Sequence, residues 1–188
     1  MRSSRPYFVA GLLLSSTALS GSATPPQQSS SSAVRATPLI LAATDGEVRE
    51  FRTRPGVFFT LKVGPNNGGS EHLVVVTEDM APGDKIPTHR HPHADELIFI
   101  QSGAGRVKLG DQVQEVHAGG IVLIPRDTWV GMENIGTDRL KHSDIWSAPG
   151  FEEYMRAISA PRGTPVTPLS KAEIADLRKK FEHYGIYQ

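Results

Sequence analysis

The shortness of the apolar runs constrains this chain more than any other feature. Between residues 57 and 146 it offers VFFTLKV (57–63), HLVVVTEDM (72–80), DELIFIQ (95–101), RVKLG (106–110), VQEVH (113–117), IVLIP (121–125), TWVGMEN (128–134) and LKHSDIW (140–146). Most are rich in β-branched or aromatic residues, and they give way to turn-forming stretches such as GPNNGG, APGD and SGAG. Short strands separated by regular turn signals predict an all-β barrel or sandwich. A chain of 188 residues, 38% of them hydrophobic, has enough apolar side chain for one core.

The two ends read differently. MRSSRPYFVAGLLLSSTALSGSA (1–23) places Arg2 and Arg5 before an apolar run from Tyr7 to Leu14, then small residues from Ser20 to Ala23. That is the three-part pattern of a secretory signal peptide, and its apolar run is shorter than the roughly 20 residues a membrane span needs. The expected protein is therefore secreted or periplasmic, with no membrane segment after cleavage. Residues 24–45 read as a flexible Ser/Pro-rich linker, residues 46–148 as the β-barrel, and residues 149–188 as a helical extension. Within the extension, FEEYMRAIS (151–159) and SKAEIADLRKKFEHYG (170–185) have helical character. Ser170 and Glu173 form a capping-box pattern, Ile174, Leu177 and Phe181 recur at helical spacing, and Gly185 supplies a stop. Two short helices are expected to cover one mouth or edge of the barrel.

Composition excludes several functions. Twenty basic residues balance twenty acidic ones without a basic cluster, so no nucleic-acid partner is expected. The absence of cysteine rules out thiol catalysis and Cys-based zinc sites. GAGRVKLGD lacks the Lys-Ser/Thr ending of a phosphate loop and reads as a hairpin turn.

The chemistry concentrates in PTHRHPHADELIFI (87–100), which holds three of the seven histidines. His89 and His91 are two apart and share a face on an extended strand. Pro92 breaks that strand, and Glu96 can return beside the imidazoles on the next one. Two neutral nitrogens and a carboxylate with open positions opposite suit non-haem iron, manganese, nickel or zinc. Ile98 and Ile100 share the parity of Glu96 and are expected to line the interior. Asp95 in this stretch, and Asp127 and Glu133 in GGIVLIPRDTWVGMEN (119–134), are polar positions without a compelling geometry for catalysis.

The stretch GDKIPTHRHPHADELIFIQSG (83–103) resembles the first motif of the cupin superfamily: Gly83, His89, His91, Glu96 and Gly103 stand at the motif's spacing. GGIVLIPRDTWVGMEN (119–134) is similar to the second motif at Gly119, Pro125 and Asn134. It departs at Asp127, where the family usually has glycine, and at Val130, where it has histidine. The resemblance, to single-domain cupin type-2 proteins of bacteria, covers roughly residues 55–148, and the tail from APGFEEYMR is similar to their C-terminal extension. It implies a double-stranded β-barrel, or jelly roll, with His89, His91 and Glu96 as ligands of a divalent metal. It also implies a small-molecule ligand and a reaction among the dioxygenases, isomerases and decarboxylases, without choosing one. A homodimer formed by sheet pairing, with residues 38–42 crossing to the partner, belongs to the same expectation.

Val130 cannot coordinate a metal, which leaves three alternatives. Three ligands suffice, with water or substrate in the remaining positions. Another histidine substitutes: His142, inward by alternation on LKHSDIW, or His93 in the loop. Or the metal is lost, and the histidines serve a metal-free barrel that binds a small molecule without turning it over.

Overall fold

In a computed structural model, which describes residues 36–188, the chain forms twelve strands and two helices. In chain order these are β1 (Glu47–Phe51), β2 (Phe58–Val63), β3 (Val74–Met80), β4 (Lys85–Arg90), β5 (Glu96–Ser102), β6 (Ala104–Leu109) and β7 (Gln112–His117). β8 (Ile121–Ile124), β9 (Val130–Asn134), β10 (Leu140–Trp146), α1 (Phe151–Ala157), β11 (Ser159–Pro161), α2 (Lys171–Lys180) and β12 (Ile186–Tyr187) follow. The expected signal peptide and the first part of the expected linker lie outside the described residues. Residues 38–42 take no strand of their own. Among the described residues, no helix is long and apolar enough to cross a membrane.

The strands form two antiparallel sheets. One has the order β11-β1-β2-β3-β10-β5-β8 and the other β12-β4-β9-β6-β7. Alternation along each strand decides what faces inward. On β3 it turns Val74, Val76, Glu78 and Met80 in, and on β5 it does the same for Glu96, Ile98 and Ile100. β10 buries Leu140, His142, Asp144 and Trp146. The apolar members gather in two clusters, one around Phe59, Trp146 and Phe151, the other around Ile98, Val130 and Leu140. Full burial of side chains of this size stabilises the fold by about 1.5–3 kcal/mol each.

The polar residues near the motifs resolve outward. Glu133 faces Lys85 and Arg106, and Asp95 pairs with Arg126. Asp127 adopts φ 64°, the left-handed conformation for which glycine is the ordinary choice. Aspartate tolerates this region better than most side chains, and the Asp127 carboxylate pairs with Arg90 at 2.8 Å. The Asp127 amide donates to the carbonyl of His91 at 2.8 Å, so this turn braces the histidine stretch.

The helices pack at one mouth. α1 buries Phe151, Tyr154 and Met155. α2 begins with the expected capping box, Ser170 Oγ accepting from the Glu173 amide and Glu173 accepting from the Ser170 amide. It buries no residue fully, and its half-buried Leu177 packs on the core together with Phe181 just beyond the helix. The helix ends at Lys180, short of the expected stop at Gly185. The intervening residues turn the chain back so that β12 can pair with β4, Tyr187 opposite His89. A Cβ on Gly185 would lie 2.7 Å from the Phe151 ring, so this close return requires glycine.

Candidate metal centre

His89 reaches the interior from β4. Its Nδ1–H donates to the Pro87 carbonyl at 2.8 Å, which leaves Nε2 with its lone pair. The ring lies near-parallel to Phe151, centroids 5.9 Å apart, and to Tyr187 at 5.4 Å. Burial, reinforced by neighbouring His91, depresses its pKa to about 4, so the ring is neutral near pH 7.

His91 follows β4 directly. Its Nδ1–H donates to the Tyr184 carbonyl at 2.9 Å, so the C-terminal segment sets the orientation of this ring. Its Nε2 has two neighbours: the Trp146 indole N–H at 3.2 Å and Glu96 Oε2 at 3.4 Å. They suit different states of the ring, since neutral imidazole accepts from Trp146 and the protonated ring faces Glu96. Burial disfavours the charged ring, but the Glu96 carboxylate outweighs it and raises the His91 pKa.

Glu96 enters from β5, on the opposite sheet, and is 3% exposed. Burial alone would raise its pKa, but His91, with His89 and His142 behind it, lowers it. Its Oε2 has no well-formed hydrogen bond among the described residues, the nearest imidazole nitrogen being His91 Nε2 at 3.4 Å. A buried carboxylate oxygen without a partner is costly, and a bound cation is one way to satisfy it. The structure thus brings His89, His91 and Glu96 together, one ligand atom of each lying within 4.8 Å of the others. Two imidazoles and a carboxylate fit a divalent ion of the first transition row.

The remaining candidates lie elsewhere. Val130 stands opposite His89 in the β4–β9 register and packs into the apolar cluster with Ile98, Ile124 and Met132. It offers no fourth donor. His142 does face inward, but its Nδ1 meets Asp144 Oδ1 at 3.0 Å, and it joins Glu78 and Asp144 in a separate group. His93 is exposed and lies against His183, ring centroids 4.2 Å apart. Neither histidine completes the set of three.

A cavity of about 220 Å³ opens beside the centre. His89 and Glu96 line it with Glu78 and Asp144, and Ile98, Met132, Trp146, Phe151, Tyr154 and Met155 give it apolar and aromatic walls. The sequence pointed to Ile98 as a wall residue, whereas the Trp146 hydrogen bond, the Tyr187 ring and the Glu78 carboxylate came from the fold alone.

Comparison with known proteins agrees with this architecture. Residues 76–146, from β3 to the end of β10, match the family model described as Cupin domain. Protein SchB of Streptomyces halstedii is 29% identical over 72 residues, which cover 38% of this chain and 52% of that protein. The uncharacterized protein YrkC of Bacillus subtilis is 27% identical over 85 residues, covering 42% and 46% respectively. The chain therefore spans about half the length of the curated relatives it matches. Among solved structures, the oxalate decarboxylase of Lactobacillus farciminis, in its formate complex, superposes with a TM-score of 0.52 and 18% identity. That match covers 60% of this chain and 34% of the other, and the likeness is one of fold. The chain has the double-stranded β-barrel fold of cupins, and its matched segment is similar to the Cupin domain model.

Proposed function

We propose that this cupin-type chain binds a divalent ion through His89, His91 and Glu96 and acts on a small organic molecule in the adjoining cavity, as a dioxygenase-like oxidoreductase or an isomerase. The observation that carries the reading is a pair of unused donors: the His89 Nε2 lone pair and the orphaned Glu96 Oε2, in one group at the cavity wall. A bound ion would supply Lewis acidity, or a site for dioxygen and substrate together. The chain's own residues do the rest. Glu96 contributes the negative charge, Pro87 and Tyr184 fix the two rings through Nδ1, and the aromatic walls exclude water from the reacting molecule. The pattern of residues 1–23 adds that the protein works outside the cytoplasm once this segment is removed.

A second reading is a metal-free barrel that holds a small molecule without turning it over. The Trp146 N–H on His91 Nε2 favours it, because that contact occupies the nitrogen a metal would use. Elemental analysis of protein purified without chelator separates the two. Under the first reading, His89→Ala and Glu96→Ala each remove one equivalent of metal from the wild-type content. A wild-type protein without metal, under conditions that load a Val130→His variant, would overturn it in favour of the second.

A further inference from the structure

The interior holds a second group built from ligand-type side chains. Glu78 comes from β3, His142 and Asp144 come from β10, and one ligand atom of each lies within 4.8 Å of the other two. All three are buried, His142 completely. Glu78 and His142 are directly opposite in the β3–β10 register, so the sheet itself holds them together. Glu78 and Asp144 both reach the cavity wall.

Two observations indicate that the protein alone does not satisfy this group. The first is His142 Nε2, which is sealed from solvent and has no hydrogen-bond partner among the described residues. A buried imidazole with one nitrogen on a carboxylate and the other unanswered is incomplete. The second is charge. Arg54 bonds Glu78 at 2.8 Å and Asp84 at 2.9 Å, so one guanidinium serves two carboxylates, and Asp144 adds a third. Once an ion takes the place of the His142 proton, one positive charge faces three negative ones, a deficit of two that a divalent ion would cancel. Arg54 engages only Oε1 of Glu78, and His142 only Oδ1 of Asp144, so each carboxylate keeps its second oxygen. The 3.0 Å between His142 Nδ1 and Asp144 Oδ1 suits a hydrogen bond.

We infer that Glu78, His142 and Asp144 form a second site for a divalent cation, on the same cavity as His89 and Glu96 but made from different strands. The barrel then carries two ions per chain. This assignment stands apart from the reading of the first centre, because the two groups share no residue.

The test loads chelator-stripped, full-length protein with cobalt(II), removes free metal by gel filtration and counts ions per chain by elemental analysis. Wild type is expected to hold two. His142→Ala and Glu78→Gln are each expected to hold one, and so is His89→Ala. Glu78→Gln keeps the shape of the side chain and an oxygen for Arg54, so it serves if His142→Ala does not fold, as judged by circular dichroism. A wild-type count of one that Glu78→Gln leaves unchanged overturns the second site, as does a count of zero. A wild-type count of one that Glu78→Gln abolishes and His89→Ala leaves intact upholds the second site and overturns the first.

Discussion

The barrel buries two groups of similar make-up, and they are built in opposite ways. His89, His91 and Glu96 come from one short stretch of sequence and straddle the two sheets, His89 on β4 and Glu96 on β5. Glu78, His142 and Asp144 come from two paired strands of a single sheet, far apart in the chain. The first group is held by the Pro87 carbonyl of its own strand and by the Tyr184 carbonyl and Tyr187 ring of the C-terminal segment, with no arginine paired to it among the described residues. The second is tied to Arg54, which joins it to Asp84 just before β4. The difference teaches that burial of the same residue types can serve separate ends. An ion-paired group within one sheet bears on the stability of the fold, because removing one member leaves a buried charge uncompensated.

The sharpest way to break this contrast is to remove the tie. Arg54→Ala leaves Glu78 and Asp84 without their cation, and breaking a buried pair costs about 3–5 kcal/mol. Glu96→Gln, which removes charge from the first group, is expected to cost much less in the same urea denaturation series. Equal losses would erase the distinction.

The pH dependence of the metal-free protein should carry the contrast as opposite signs. His89 has its folded pKa lowered from 6.5 to about 4, chiefly by burial. Its contribution is present above the unfolded value and is lost as pH falls from 6.5 towards 4, by up to about 3 kcal/mol. For His142, burial acts in the lowering direction, but Asp144 overrides it and raises the pKa to about 9. That contribution is complete below 6.5 and is lost as pH rises towards 9. Asp144 itself is raised to about 6 by burial, so the two are an ion pair between about 6 and 9. Thermal melts across pH should show the acid limb flattened by His89→Ala and the alkaline limb flattened by His142→Ala. The same limb responding to both would refute the assignment.

The smallest expected effect bears on the first group alone. Trp146→Phe removes the N–H that meets His91 Nε2. Freeing that nitrogen should tighten metal binding at the first centre by up to about tenfold, the worth of one ordinary hydrogen bond. Calorimetric titration checks this, and an unchanged affinity would mean that Trp146 does not compete for the ring.

Much of the fold was legible in the sequence because alternation and turn residues are local signals. The expected runs became strands β2, β3 and β5–β10 with modest changes at their ends, and the Ser170–Glu173 cap formed as anticipated. The first group was legible for the same reason, since strand parity and one proline suffice to bring Glu96 back beside His89. The inward face of His142 was also readable from parity. Its partner Glu78 was not, because which strand lies beside β10 depends on sheet order rather than on any neighbouring residue. β1, β11 and β12 were missed on similar grounds, β12 being a two-residue strand formed only by docking on β4.

The bond from His91 to the Tyr184 carbonyl joins residues 93 positions apart. On a ribosome, His91 is therefore made long before the group that orients it. The barrel strands from β2 to β10 precede α2 and β12, so the first group receives this support only when residues 184–187 dock. The connection they arrive on, residues 162–168, is largely exposed. A cut there would leave His89, His91 and Glu96 in place yet free the segment that aims one of them, so protease sensitivity at this connection becomes a measure of how firmly the group is held.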